Sequence, residues 1–262
     1  MSQAEHEPTN RPAKDAKFDA LEYHIAVNFH PELKLIKAKG FEFAGSLSSI
    51  IDPSGVQLEE KQWAFSQPHG SRVGGQFQVV VGVSTLAIGV VYPEHNEEWF
   101  EYRYHLILKE FYKSYKPQLV MNSTAIIRGT LQVDGDAREF LMTHVTRLDQ
   151  ERLKKLGRPV HLFGIRLFMP PYQRLSDSPK KKKKGVAEAQ PEVVGWMVDV
   201  KAESLIEDPK KLFLEAKCDW VVPQPWSDRA IKDIESHLAE AANYLKYRLV
   251  PFLESEASDT GE

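Results

Sequence analysis

A chain of 262 residues, 42% hydrophobic and 27% charged, is long enough to bury the core of one large globular domain or two small ones. Its net charge of −3 hides a run of five lysines at 180–184, so the remainder is distinctly acidic and a poor match for a groove that tracks phosphates. The single cysteine, Cys218, excludes an internal disulfide and a cysteine-rich zinc site, which points to a reducing compartment. No stretch approaches the roughly 18 apolar residues of a membrane span, and the first residues show no secretory pattern. A soluble cytoplasmic protein without a membrane partner is the expectation.

Residues 1–17 are polar and proline-bearing and read as a disordered tail. Order is expected to start at Phe18. Tyr23, Ile25, Val27 and Phe29 alternate with Glu22, His24, Ala26, Asn28 and His30, a period of two that predicts a half-buried strand ended by Pro31. A short apolar helix is predicted over 40–52, a turn at 52–55 and one strand over 56–66. The glycine-rich GSRVGG at 70–75 lacks the lysine–serine ending of a phosphate loop and reads as a hairpin link between strands. Two strands follow, FQVVVGV and STLAIGVVY. A long helix from Asn96 to Lys116 is predicted from its cap, its acidic first turn and the stripe Phe100, Tyr104, Ile107, Phe111 and Tyr115.

The second half repeats this order. LVMNSTAIIRGTLQVD predicts a long strand with one strongly polar face. Asp136 and Glu139 form a capping-box pattern before the stripe Leu141, Val145, Leu148, Arg152 and Leu156, which predicts a helix closed by Gly157. A strand is predicted at 160–169, a lysine-rich linker at 172–191 and a strand over VVGWMVDVKAE. KLFLEAKCDWVV is predicted as a half-buried strand, and Ser227 caps a final helix with the stripe Ile231, Ile234, Leu238, Ala241, Leu245, Leu249 and Phe252. An acidic tail closes the chain at 254–262. The fold class expected is α+β: two similar halves, 18–117 and 118–253, each strand, helix, three strands, long helix. Together they build a largely antiparallel sheet with the long helices packed on one face.

The helix HNEEWFEYRYHLILKEFYKSY, the strand IIRGTLQV and the ending from CDWVV to YLKYRLVPFL together resemble an uncharacterised, sporadically distributed family of bacterial proteins of about this length. The resemblance covers most of 18–253. The family's strand carries an arginine and a glycine before an apolar stretch, here Arg128 and Gly129. Its tyrosine and asparagine a few residues later are replaced by Gln132 and Val133. The resemblance implies the two-half layout and no established activity.

No catalytic constellation emerges from the sequence. His24 and His30 share a strand face without a third ligand nearby, so no metal is expected. Asp134 and Asp136 flank Gly135 without the rest of a calcium loop. Cys218 lies between Ala216 and Trp220 on an apolar strand face, a core position where burial raises the thiol pKa. The tryptophans at 63, 99, 196, 220 and 226 are expected to be core. No cofactor is expected.

The surface that stands out is the polar strand face carrying His24, Asn28, Thr124, Arg128, Thr130, Gln132, Asp199, Lys201, Glu215, Lys217 and Asp219. Of these, Arg128, His24, Thr130, Gln132 and Asp219 are the candidate binding residues. Arg128 leads because its neighbours along the strand supply no acid. The expected function is a non-catalytic protein-binding or assembly module with a protein partner or a homo-oligomer; one version is chaperone-like. The alternatives are an enzyme assembled in three dimensions around His24, Arg128 and Asp219, and nucleic-acid binding through the lysine run, which the acidic remainder disfavours.

Overall fold

The computed structural model describes residues 18–148, 150–174, 192–194, 196–221 and 223–255. In chain order the elements are β1 (Phe18–His30), α1 (Lys37–Leu47), β2 (Gly55–Leu58), β3 (Gln62–Pro68), β4 (Gln76–Gly82), β5 (Thr85–Val91) and α2 (Glu97–Tyr115). They continue with β6 (Leu119–Gln132), α3 (Ala137–Glu139), α4 (Gln150–Lys154), β7 (Gly164–Met169), β8 (Tyr172–Arg174), β9 (Glu192–Val194), β10 (Trp196–Ser204), β11 (Lys211–Trp220), β12 (Gln224–Pro225), α5 (Asp228–Tyr244) and α6 (Val250–Glu254).

One antiparallel sheet organises the fold, in the order β2-β3-β4-β5-β1-β6-β11-β10-β7, with β12 on the end of β6 and β8-β9 as a separate pair. The two long strands, β1 and β6, meet at the centre. Outward from that join β1 is followed by β5, β4, β3 and β2, and β6 by β11, β10 and β7, so the strands on each side come in reverse chain order. Most of the apolar strand faces predicted point inward; Met121 near the start of β6, beside the register shift at Asn28 and Phe29, is 37% exposed instead. Tyr23, Ile25, Val27 and Phe29 on β1, and Ala125, Ile127 and Leu131 on β6, are all buried.

Helices cover this inner face. Phe43 of α1 packs edge-on to Phe65 of β3, Phe100 of α2 lies against Tyr23 and Phe77, and α5 runs over β6 and β11. Asn96 caps α2 and Ser227 caps α5, each side chain accepting from the backbone N–H three residues on. Cys218 is fully buried, and burial pushes its thiol up to about 12. Among the described residues no helix is long and apolar enough to cross a membrane.

Four local expectations are corrected. Residues 56–66 form two strands, because Glu59 N–H donates to the Gln62 carbonyl and folds the segment into a hairpin. The helix expected over 136–156 is broken: Asp136 caps it, but a π-helical turn at Phe140–Val145 ends at Arg147 in the left-handed region (φ 50°), leaving Leu156 exposed. VVGWMVDVKAE divides between β9 and β10, and β9 pairs with β8 across the predicted linker. In the last helix a π-helical turn at Leu245–Leu249 precedes Pro251, whose ring cannot continue the hydrogen-bond ladder. The extra residue in that turn brings Leu253 into the core and leaves Phe252 half exposed. The predicted tail at 1–17, the lysine run and most of the acidic tail lie outside the described residues.

Candidate functional site

Among the described residues no helix lies across the second face of the sheet, and on it the register lines side chains up in rows. One row runs Glu22, Arg128, Glu215, Lys201, Arg166 across β1, β6, β11, β10 and β7. The next runs His24, Ile126, Lys217, Asp199, Phe168, and a third Ala26, Thr124, Asp219, Met197. Direct cross-strand neighbours of opposite charge stabilise a sheet, and this grid is full of them.

Arg128 is held on both sides. Its Nη1 donates to Glu22 Oε2 and its Nε to Glu215 Oε2, each at 2.6 Å. The expectation that Arg128 lacks an acid is therefore overturned: its partners sit beside it across the strands, 106 and 87 residues away in sequence. Burial alone would lower the Arg128 pKa, but the two carboxylates outweigh it and raise it. Glu215 shows the mirror image. Burial pushes it up, yet hydrogen bonds from Arg128 and Lys201 hold it below the usual carboxylate range. Lys201 Nζ reaches the other Glu215 oxygen at 3.0 Å.

Beyond this core, Arg166 grips Asp199 with two nitrogens and holds its carboxyl low. Thr124 Oγ1 donates to Asp219 at 2.5 Å, and Lys217 lies 2.9 Å from the same carboxylate. Asn28 donates to Asn122 and accepts from Thr85. His24 lies against Gly89, where an added Cβ would stand 3.2 Å from its Nδ1. Burial, partly offset by Glu22, keeps its imidazole pKa below the ordinary value.

Of the five candidate residues, Arg128, His24 and Asp219 share this face but stand in three different rows. Asp219 is four residues along β11 from the partner of Arg128, about 13 Å away. They do not converge on one point. Thr130 is on the same face but buried, and Gln132 is exposed at the end of β6.

Replacing Arg128 with methionine should destabilise the fold by about 2 kcal/mol at pH 7, because it leaves Glu22 and Glu215 facing one cation fewer in a half-buried site. Glu215 has a depressed folded-state pKa, so its contribution is present above the unfolded value and is lost as pH falls. The gap between variant and native chain should therefore close on acidification. Urea midpoints at pH 7 and pH 4 measure it, and an undiminished gap at pH 4 contradicts the ion-pair account.

Two clefts were not visible in the sequence. One of about 200 Å³ is lined by Asp52, His69, Phe77, Trp99 and Arg103; His69 lies 4.9 Å from the Trp99 ring, and Arg103 sits 4.2 Å over it. The other, about 520 Å³, lies between α3 and the 153–160 segment and is lined by Arg138, Glu139, Lys154 and Arg158 among others. Among the described residues no group of three histidines, cysteines or carboxylates could hold a metal ion. Comparison with protein-family models and with curated proteins returned no match.

Proposed function

We propose that the chain is a non-catalytic protein-binding module that holds its partner on the open face of the sheet. One observation carries this reading: beside the charged grid, the same face presents a patch without Lys, Arg, Asp or Glu in which five of eight side chains are Gly, Ala or Ser. Across β3, β4, β5 and β1 one row reads Ala64, Val80, Ala87, Ala26, and the next Ser66, Gln78, Gly89, His24. Gln78 is exposed and the other seven are partly exposed. Small side chains let another backbone come close, and a surface several strands wide, at about 4.8 Å per strand, suits a protein better than an enclosed small molecule. The grid beside it is already paired, so it holds its shape before any partner arrives. A chaperone-like module, with an extended client segment laid along the neutral rows, is one form of this reading. A reducing cytoplasm fits the lone buried thiol.

The test uses a partner captured by the native chain and then purified. Ala87→Arg places a long cation in the middle of the neutral patch and should weaken rebinding at least tenfold. Ser114→Arg, on the exposed side of α2, should leave it unchanged. Equal rebinding by Ala87→Arg, with the variant folded by circular dichroism, rules the open face out.

A further inference from the structure

We propose that two copies of the chain join edge to edge through β7, antiparallel, with the two-fold axis at Leu167. This rests on the reading of the chain as an assembly module and adds a partner of known chemistry, a second copy of itself.

The two ends of the sheet differ. At one end β2 is four residues long and runs into Glu59, Glu60 and Lys61, a short charged edge that discourages pairing. At the other, β7 has the sequence GIRLFM, with no proline, no lysine and no register shift against β10. Its single charge, Arg166, is turned onto Asp199. Leu167 and Phe168 are 39% and 60% exposed, and Leu162 just before them is 50% exposed. Among the described residues no strand pairs with the outer side of β7.

The backbone phase selects the register. Ser204 N–H donates to the Phe163 carbonyl, and the pairing continues with Ile165 opposite Ala202 and Leu167 opposite Val200. The odd-numbered residues therefore direct their main-chain groups to β10, while Gly164, Arg166 and Phe168 direct theirs outward. A two-fold axis at Arg166 would set two guanidinium groups directly opposite each other. An axis at Leu167 avoids this: Arg166 faces Phe168 of the second copy on the open side, while Leu167 faces its own copy and Ile165 faces Met169 on the other. Every direct pair is then apolar, or an arginine beside an aromatic ring. Each Arg166–Phe168 pair closes both main-chain bonds. Pro170, with no N–H, ends the ladder.

A six-residue ladder is a small interface, below about 1,200 Å² in total, so the dimer should be concentration-dependent. Sedimentation of the full chain across a wide concentration range should show monomer passing to dimer. Leu167→Lys, which sets two ammonium groups opposite each other, should raise the midpoint at least tenfold. The pair at Leu167 is of the close, non-hydrogen-bonded kind, with Cβ atoms about 4.5–5.5 Å apart. Mild oxidation of Leu167→Cys should therefore give a disulfide-linked dimer, with Cys218 buried and silent. Arg166→Cys alone should not crosslink, whereas Arg166→Cys with Phe168→Cys should. A monomer at every concentration, or a crosslink from Arg166→Cys alone, overturns the proposal. A monomer that still binds its partner through the Ala87 patch overturns only the β7 pairing; a β7 dimer whose partner ignores Ala87→Arg overturns only the open-face reading.

Discussion

Gly129→Ala is expected to destabilise the fold by about 3 kcal/mol, although it adds a single methyl group. Gly129 sits on β6 at the central join with β1, opposite Ala20 and Leu214. The Phe18 ring fills the space above it: a Cβ at 129 would lie 2.2 Å and 2.5 Å from two ring carbons and 2.8 Å from the Asp19 carbonyl oxygen. Phe18 is 5% exposed and belongs to the core, so it cannot swing aside without opening a void. The Asp19 contact is with backbone, next to the register shift between Ala20 and Glu22, so β1 would have to move as well. Overpacking of this kind costs about 1–3 kcal/mol, and displacing a buried aromatic adds to it. Phe18→Ala should be costly alone, yet partly rescue Gly129→Ala, with the double variant more stable than the sum of the singles by 1 kcal/mol or more. Urea denaturation of the four chains measures this. Strict additivity would place the cost elsewhere.

Gly129 also shows what the sequence could and could not reveal. Its place on the inward face of a long strand follows from the alternation of Ala125, Ile127 and Leu131 around it, but nothing local says that a phenylalanine 111 residues earlier lies over it. The strands were legible because one greasy face in two is a local signal that burial on one side of a sheet enforces. α2 and α5 were legible from their caps and stripes. The failures fall where a backbone hydrogen bond or a special dihedral overrides the pattern: the turn at Glu59–Gln62, the left-handed Arg147, and the π-helical turn that exchanges Leu253 for Phe252.

The candidate site was legible as a set of polar residues and illegible as a grid. Alternation alone places Arg128, His24 and Asp219 on one face. Which acid meets which base depends on register between strands far apart in the chain, and Arg128 with Glu22 and Glu215 shows how far wrong the local view goes. The same limit applies on the helix side. Trp196 and Trp220 were expected to be core; they are stacked cross-strand partners at the strand ends, only partly buried, and Trp220 also stacks on His237.

His237 should make the fold acid-sensitive, by about 4 kcal/mol between pH 6.5 and pH 3. Its ring lies parallel to Trp220 with centroids 3.7 Å apart, and its Nδ1 is hydrogen-bonded to the buried Ser123 Oγ at 2.7 Å. Burial pushes the imidazole down to about 3, from an ordinary value of 6.5. Below pH 6.5 the unfolded chain takes up a proton that the folded chain refuses, so stability falls with pH until the folded pKa is reached, at up to about 1.4 kcal/mol per unit. Asp199 and Glu215, held low by their cations, push in the same direction at lower pH. Glu101 pushes the other way: burial, with Glu97 and Glu98 beside it, raises it to about 7, so it gains stability as pH falls toward its unfolded value. Glu240, also raised by burial, does likewise. The His237 contribution is isolated by pairing His237→Phe with Ser123→Ala, which keeps a ring on Trp220 and strands no hydroxyl. That double variant should match the native chain within about 1 kcal/mol at pH 7.5 and exceed it by several kcal/mol at pH 4. Chemical denaturation at both values decides it: parallel loss of stability in the two proteins would mean that His237 takes up its proton without unfolding the chain.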